Sequence, residues 1–425
     1  MMQVLSSTWA LMLGMMLLMV GNGIQSTLLG VRGGIESFST LEMSFVMAGY
    51  FVGFLGGSRL APEMIRRVGH VRVFAALASL ISAVMILYPY PIFTNPIAWT
   101  IGRCIVGFCF SGVYVTAESW LNNQSTNENR GQALSLYMIV QTLGIVGAQA
   151  ALLIGDPAGF EVFIIASVLV SISFAPILLS VTPTPAYETS KPMTLRQLFE
   201  SSPLGCVGIF LLGGVYSGLF GMSAVYGAAI GLTLVQISTF VATFYIGAML
   251  LQYPIGWMSD RIDRRFLIMV TGLIGGVAAI VGMWADEGFW ILLGAAFVVG
   301  GMTNPLYSLL LAHTNDHIEY EDMPAASGGL IFINGLGAIA GPLITGWLMG
   351  PNVVGPSGFF LFIGALLLCV AAYAAYRSTR RPAVPVEDTG AYAAVTQTLT
   401  PVAMEVAQEM VIEAEQDGDE PEQAA

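Results

Sequence analysis

The chain is organised by long apolar stretches separated by short polar breaks. Twelve stretches reach the roughly 20 mostly apolar residues that a helix needs to cross about 30 Å of hydrocarbon. They are 6–28, 40–60, 72–93, 97–121, 131–154, 160–180, 204–229, 234–258, 266–285, 289–312, 326–349 and 357–377. The breaks carry charge or turn chemistry, as in Arg66-Arg67-Val68-Gly69-His70, Asp156-Pro157, Ser259 to Arg265 and Asn315 to Pro324. The longest break, 182–203, holds Pro183, Pro185, Pro192 and Pro203 and parts six spans from six. This pattern predicts an all-α membrane protein of twelve transmembrane helices. Residues 1–181 would form one six-helix bundle, 182–203 a linker and 204–380 a second bundle, followed by a tail over 381–425.

Composition agrees with that picture and removes alternatives. Only 10% of the 425 residues are charged, 56% are hydrophobic and the mean hydropathy is +0.76. A soluble domain carries about 25% charged residues, so a water-soluble enzyme is excluded. The net charge of −12 argues against nucleic acid as a partner, which would call for a basic face. That charge is concentrated at one end: ten acids and no Lys or Arg follow Arg381, which leaves the body at −2. The tail therefore reads as a disordered acidic extension, with a short helix between about Val395 and Glu415 as the alternative. Cys104, Cys109, Cys206 and Cys369 sit in apolar runs without metal-ligand spacing, and no metal or cofactor is expected. No Lys or Arg precedes the first apolar run, which is also long for a signal peptide, so it reads as the first membrane helix.

Orientation follows from the basic residues. With the N-terminus inside, cytoplasmic loops hold Arg59, Arg66, Arg67, Arg72, Arg130, Lys191, Arg196, Arg261, Arg264, Arg265, Arg377, Arg380 and Arg381. Only Arg32 falls outside, and Arg103 lies within a span. This asymmetry is the positive-inside pattern; one missed helix would spoil it. Both termini are thus expected in the cytoplasm of a cell with this protein in its inner membrane. The halves also echo each other at an offset of 193: Tyr114 with Tyr307, Asn122 with Asn315, and Leu143-Gly144 with Leu336-Gly337. Internal repeats of this kind build secondary transporters, with the solute site between them.

One local pattern is sharper than the rest. Gly256-Trp257-Met258-Ser259-Asp260-Arg261-Ile262-Asp263-Arg264-Arg265, between the eighth and ninth spans, resembles the G-x-x-x-D-R-x-G-R-R signature of the major facilitator superfamily, with Asp263 in place of a glycine. The first-half copy, from Gly57 through Arg66, Arg67 and Arg72, keeps the basic portion but lacks the Asp. The resemblance covers about residues 1–380 and implies the major facilitator fold, in which two pseudo-symmetric bundles expose a central site alternately to either side. It also implies a small-molecule substrate, coupling to protons, and a monomer in the lipid bilayer. Gly256 would let helices approach, Asp260 would face the positive end of a neighbouring helix, and Arg261, Arg264 and Arg265 would pair with acids as a cytoplasmic gate, joined by Arg66, Arg67, Asp316 and His313. The branch stays open between drug–proton-antiporter-like and sugar-porter-like. The fifth span lacks the G-x-x-x-G-P element of the antiporters, so antiport is not implied.

Arg103 is the costliest residue, since an intramembrane charge is expensive and points to function. It shares a helical face with Gly107, Phe110, Tyr114 and Glu118. Three readings are open: substrate or proton coupling, an interhelix hydrogen bond, and snorkelling to the outer interface. Glu118, followed by Arg130, is similar to an inner-gate element of sugar porters; a proton-carrying carboxylate and simple interfacial exposure are the alternatives. In this family the first, fourth, seventh and tenth helices line the cavity. The resemblance therefore implies Asn22, Gln25, Tyr114, Tyr216, Tyr226, Asn304 and Tyr307 as lining groups, with Gln141 and Asn334 as further candidates. Interhelix bonding is the competing reading for each. A second class of function is a non-transporting membrane sensor or scaffold that signals through the tail. A membrane-embedded enzyme has no support, because no catalytic cluster or phosphate-binding motif lies in the spans.

Overall fold

The computed structural model describes residues 2–125, 129–176, 193–284, 288–319 and 322–380, together with tail residues 385, 389–390, 392–395, 397, 400, 403–404 and 407. The described helices, in chain order, are α1 (Met2–Ile35), α2 (Thr40–Val68), α3 (His70–Leu87), α4 (Pro96–Gln124), α5 (Arg130–Ala151), α6 (Glu161–Ser173), α7 (Leu195–Ser201), α8 (Pro203–Ala229), α9 (Leu234–Ser259), α10 (Arg264–Gly282), α11 (Phe289–Asn315), α12 (Met323–Leu348) and α13 (Gly358–Ser378). Eleven of these are long and apolar enough to cross a membrane, and α6 is an apolar helix of 13 residues. The sequence expectation of a span over 160–180 thus meets α6 only in part, because 177–180 lie outside the described residues.

Local chemistry sets where the helices begin. Ser39 and Glu42 form a reciprocal capping box at α2, with Ser39 N–H donating to Glu42 at 2.8 Å, and Thr233 with Gln236 does the same at α9. Asn95 caps α4, with Pro96 in the first turn where its missing N–H costs nothing. The linker is not uniformly irregular: Thr194 and Gln197 cap the short α7, and Ser202 then caps α8 while its hydroxyl meets that of Thr314 at 3.2 Å. Residues 182–192 lie outside the described residues.

Glycines bring helices together in pairs. A methyl group at Gly107 of α4 would lie 2.7 Å from the Tyr50 carbonyl carbon of α2, and one at Gly53 would lie 2.7 Å from that of Cys104. The pair α9 and α11 repeats the arrangement, with Gly300 2.7 Å from the Cα of Phe244. Gly300 follows Gly107 by 193 positions and Phe244 follows Tyr50 by 194, so the sequence echo is a repeat of backbone packing.

The two halves meet most tightly at the end away from the basic turns. There, a methyl at Gly30 would sit 2.6 Å from the Ala224 methyl and one at Gly346 2.7 Å from the Thr40 carbonyl oxygen. Thr40 Oγ1 also donates to the Gly346 carbonyl at 3.2 Å. At the end bearing the basic turns the halves diverge around a cavity of about 630 Å³. Tail residues Tyr392, Ala393, Ala394 and Ala407 line this cavity, and Ala403, Met404 and Ala407 are helical, within the stretch where a short helix is the alternative. Val395, Ala403, Met404 and Ala407 are buried. Residues 408–425, which carry many of the tail acids, lie outside the described residues.

Candidate functional site

The cavity has two parts. Deep between the halves is a chamber of about 80 Å³, lined by Arg103, Tyr50, Phe54, Tyr114, Tyr216 and Asn334 among others. Below it, toward the basic turns, is the 630 Å³ vestibule, with Gln141, Tyr216, Gln252, Asp260 and Asn304 in its walls.

Arg103 is held by the close crossing of α2 and α4. Because Gly107 lets the α2 backbone approach, the Tyr50 ring lies under the guanidinium, 4.6 Å from Cζ to the ring centroid. Nη2 points at the Met47 sulfur at 3.8 Å, a weak acceptor. Arg103 is 2% exposed, and its Nε and Nη1 find no partner among the described residues. A buried cation with unpartnered donors is costly, and the contacts with Tyr50 and Met47 that tie α4 to α2 leave those two nitrogens unsatisfied. Aromatic rings flank it: Tyr114 with Phe110 at 6.0 Å and with Phe54 at 5.9 Å, and Tyr216 with Phe220 at 4.4 Å.

Of the other expected lining groups, Asn22, Tyr114, Tyr216 and Asn334 face the chamber, and Gln141 and Asn304 the vestibule. Asn304 donates to Gln252 at 3.2 Å. Three expectations are corrected. Gln25 is fully buried and donates to the Tyr88 hydroxyl at 3.3 Å, tying α1 to the end of α3. Tyr226 stacks on Phe359 at 4.8 Å, inside the second half. Tyr307 is buried and absent from both cavity walls. Conversely, Tyr50, Phe51 and Phe54 on α2 and Tyr245 on α9 line the chamber and were missed. A signal was present: Gly49, Gly53 and Gly57 recur every four residues and mark the packed face of α2, which turns the aromatic residues toward the cavity.

The expected gate is rearranged. Arg264 is buried and forms an ion pair with Asp316; it also reaches the Gly390 carbonyl of the tail and the Ser259 hydroxyl at 3.3 Å. Burial pushes the Asp316 carboxyl above its ordinary value, and the Arg264 charge opposes that rise. Asp260 accepts the Tyr392 backbone N–H at 2.9 Å. The nearest neighbour of Gly256 is the Tyr392 ring, which a methyl there would meet at 2.6 Å. Arg261 lies over its own Trp257 at 4.2 Å, and Arg265 sits 3.7 Å from Asp263. Arg66 and Arg67 are exposed and pair with Glu63 on their own helix, so they span no gap between halves. His313 is buried beside His317, their rings 4.6 Å apart.

Glu118 is buried within α4 and accepts from the Tyr137 hydroxyl at 3.3 Å and from the Thr400 backbone N–H at 3.0 Å, as well as from the Thr400 hydroxyl. Arg130 and Glu118 line one small cavity of about 10 Å³. Glu118 is therefore not exposed at an interface.

A family model described as the Major Facilitator Superfamily matches residues 7–240 and 206–407. The chain belongs to the major facilitator superfamily. It is 26% identical over 342 residues to an uncharacterized MFS-type transporter of Yersinia pestis (strain Pestoides F), covering 80% of this chain and 88% of that one. It is 25% identical over 345 residues to the uncharacterized MFS-type transporter YcaD of Salmonella arizonae, at the same coverage. Among solved structures, the nucleoside transporter NupG superposes with a TM-score of 0.70 at 14% identity, over 87% of this chain and 98% of that one. A bacterial homologue of the human lysosomal transporter Spinster does so with 0.68 at 14%, over 96% and 98%. The fold is thus that of the superfamily, and the chain is a multi-pass membrane protein of this transporter family.

Proposed function

We propose that the protein carries a small organic anion across the cell's inner membrane by alternating access between its two halves. The observation that carries this reading is Arg103, a buried guanidinium with two unpartnered nitrogens at the head of an aromatic chamber between the halves. A carboxylate or similar anion would satisfy those donors and neutralise the charge, while the rings of Tyr50, Phe54 and Tyr114 would cover a flat apolar body. No carboxylate lines the chamber among the described residues, so the positive charge is available to the solute.

Proton coupling fits Glu118 better than Arg103. An arginine keeps its proton under all working conditions, whereas Glu118 is a carboxylate buried in α4 that can take and release one. Rocking of the halves about the chamber would close the vestibule and open the sealed end. The Arg264–Asp316 pair stands at the rim that must close. In this reading that rim and both termini lie in the cytoplasm, as the positive-inside distribution favours, and the carrier makes twelve crossings and works as a monomer.

Purified protein in proteoliposomes, offered aromatic and aliphatic carboxylates, sugars and organic cations with and without a pH gradient, tests this. Uptake of an anion driven by the gradient is expected. Selective uptake of a cation would overturn the solute class, and gradient-independent uptake would overturn the coupling. The tail in the vestibule also favours a second reading, a sensor or scaffold that moves nothing. A tail-deleted protein that remains inert toward the whole panel would support it.

A further inference from the structure

The tail meets the vestibule through specific bonds and not as loose filling. Val395 exchanges two hydrogen bonds with Ser308: its N–H donates to the hydroxyl at 3.0 Å and its carbonyl accepts from it at 3.0 Å. The Tyr392 hydroxyl accepts from Gln252 at 3.0 Å, and its ring fills the slot left by Gly256. Gln397 accepts from Asn334 at 3.3 Å and forms part of the chamber wall. Those partners all belong to the second half. Thr400, three residues on, is bound instead to Glu118 of the first half.

Two consequences follow from where these residues lie. The first concerns volume. With Gln397 in its wall the chamber is about 80 Å³, whereas small-molecule sites are about 300–1,000 Å³. Withdrawal of the tail would remove Gln397 from that wall and widen the way to the Arg103 site for a solute. The second concerns motion. The segment is bonded to both halves within the space that must shrink when the cytoplasmic side closes, so it acts as a wedge. It also engages Arg264 through the Gly390 carbonyl and Asp316 through the Gly390 N–H at 3.3 Å, both on the closing rim.

We propose that the tail, through its described residues between Thr389 and Ala407, is a tethered competitor of the transported solute, which occupies the cytoplasmic vestibule and holds the carrier open to the cytoplasm until it is withdrawn. This rests on the reading that the cavity is the solute's path. Covalent attachment shortly after α13 gives the segment an effective concentration on the order of millimolar. A segment whose intrinsic dissociation constant is about 10 µM would then raise the solute's apparent constant roughly 100-fold. Any agent that binds the acidic tail in the cytoplasm, such as a basic protein surface, would relieve the block by taking the competitor away.

The test uses the full-length protein in inside-out membrane vesicles and in proteoliposomes. Val395 is fully buried, so a cysteine placed there (Val395→Cys), read by peptide-resolved mass spectrometry, should react with a membrane-impermeant maleimide at least tenfold more slowly than in denatured protein. Tyr392→Ala combined with Thr400→Ala, both on the tail side of the contact, should restore rapid labelling and raise uptake at low solute at least about fivefold. Labelling of Val395→Cys at the denatured rate overturns the proposal, and so does protection accompanied by unchanged uptake in the double variant. Protection with no uptake by any variant overturns the transport reading instead, and leaves the docking of the tail standing.

Discussion

An alanine at Gly107 probes the crossing that positions Arg103. Its methyl would lie 2.7 Å from the Tyr50 carbonyl carbon, where ordinary contact begins near 3.4 Å, so α2 and α4 must part by at least 0.7 Å. A radial gap of about 0.5–1 Å forfeits a quarter to a half of the dispersion well at each contact along the crossing, and overpacking of this kind costs about 1–3 kcal/mol. The Arg103–Tyr50 stack, 4.6 Å at present, would open as well, loosening the guanidinium. Gly300→Ala should carry a similar stability cost, because it meets the Phe244 backbone in the same way, but it should leave Arg103 undisturbed. Gly147→Ala is the control, since nothing lies within 4 Å of its added methyl. Thermal unfolding in detergent should show a lower Tm for Gly107→Ala and Gly300→Ala and an unchanged or slightly higher one for Gly147→Ala, where alanine is the better helix former. Solute affinity should fall for Gly107→Ala beyond the loss in Gly300→Ala. Equal Tm values for all three variants would refute the packing argument, and equal affinities for the first two would refute the link to Arg103.

Other outcomes follow from the same geometry. Glu118→Gln keeps the acceptor for Thr400 but has no proton to exchange, so uptake should lose its dependence on a pH gradient while solute binding persists. Arg264→Ala should cost about 3–5 kcal/mol by leaving Asp316 buried without its cation. In that variant the native Asp316 carboxyl stays raised above the unfolded value of about 4, so stability is fully present below that pH and is lost as pH rises through the native value. Tm should therefore fall as pH rises above the ordinary carboxylate value of about 4, and adding Asp316→Asn should flatten the profile. Tyr226→Ala should lower Tm through loss of its stack on Phe359 and leave the solute KM unchanged. Arg66→Gln with Arg67→Gln should change neither uptake nor Tm appreciably, because exposed pairs on one helix contribute little.

The spans were legible because apolar length and basic loops report directly on the bilayer, and the Gly107 and Gly300 echo reports on backbone approach. Arg103 stood out because charge is costly in hydrocarbon. Facing direction was less legible. Asn304 and Tyr307 are three residues apart, yet only Asn304 lines the vestibule, since a three-residue step still turns the helix by about 60°. The aromatic wall on α2 is marked in the sequence only by the Gly49, Gly53 and Gly57 spacing, which sets the packed face and so turns the rings toward the cavity. The tail misled most. Its acids suggest solvation, but the small and apolar residues that lie among them, Tyr392, Val395, Ala403 and Met404, are the ones that dock. Docking depends on a cavity formed by residues far away in the chain, Gly256, Ser308 and Glu118, which no local pattern joins to the tail.

Uptake of an aromatic monocarboxylate and of its neutral amide into proteoliposomes, by the native protein and by Arg103→Gln, tests the central claim most directly. Charged hydrogen bonds contribute about 1.5–3 kcal/mol each, so the native protein should prefer the carboxylate by at least tenfold in kcat/KM, and Arg103→Gln should lose that preference. A native protein that moves the amide as well as the acid, or an Arg103→Gln protein that still selects the acid, would contradict it.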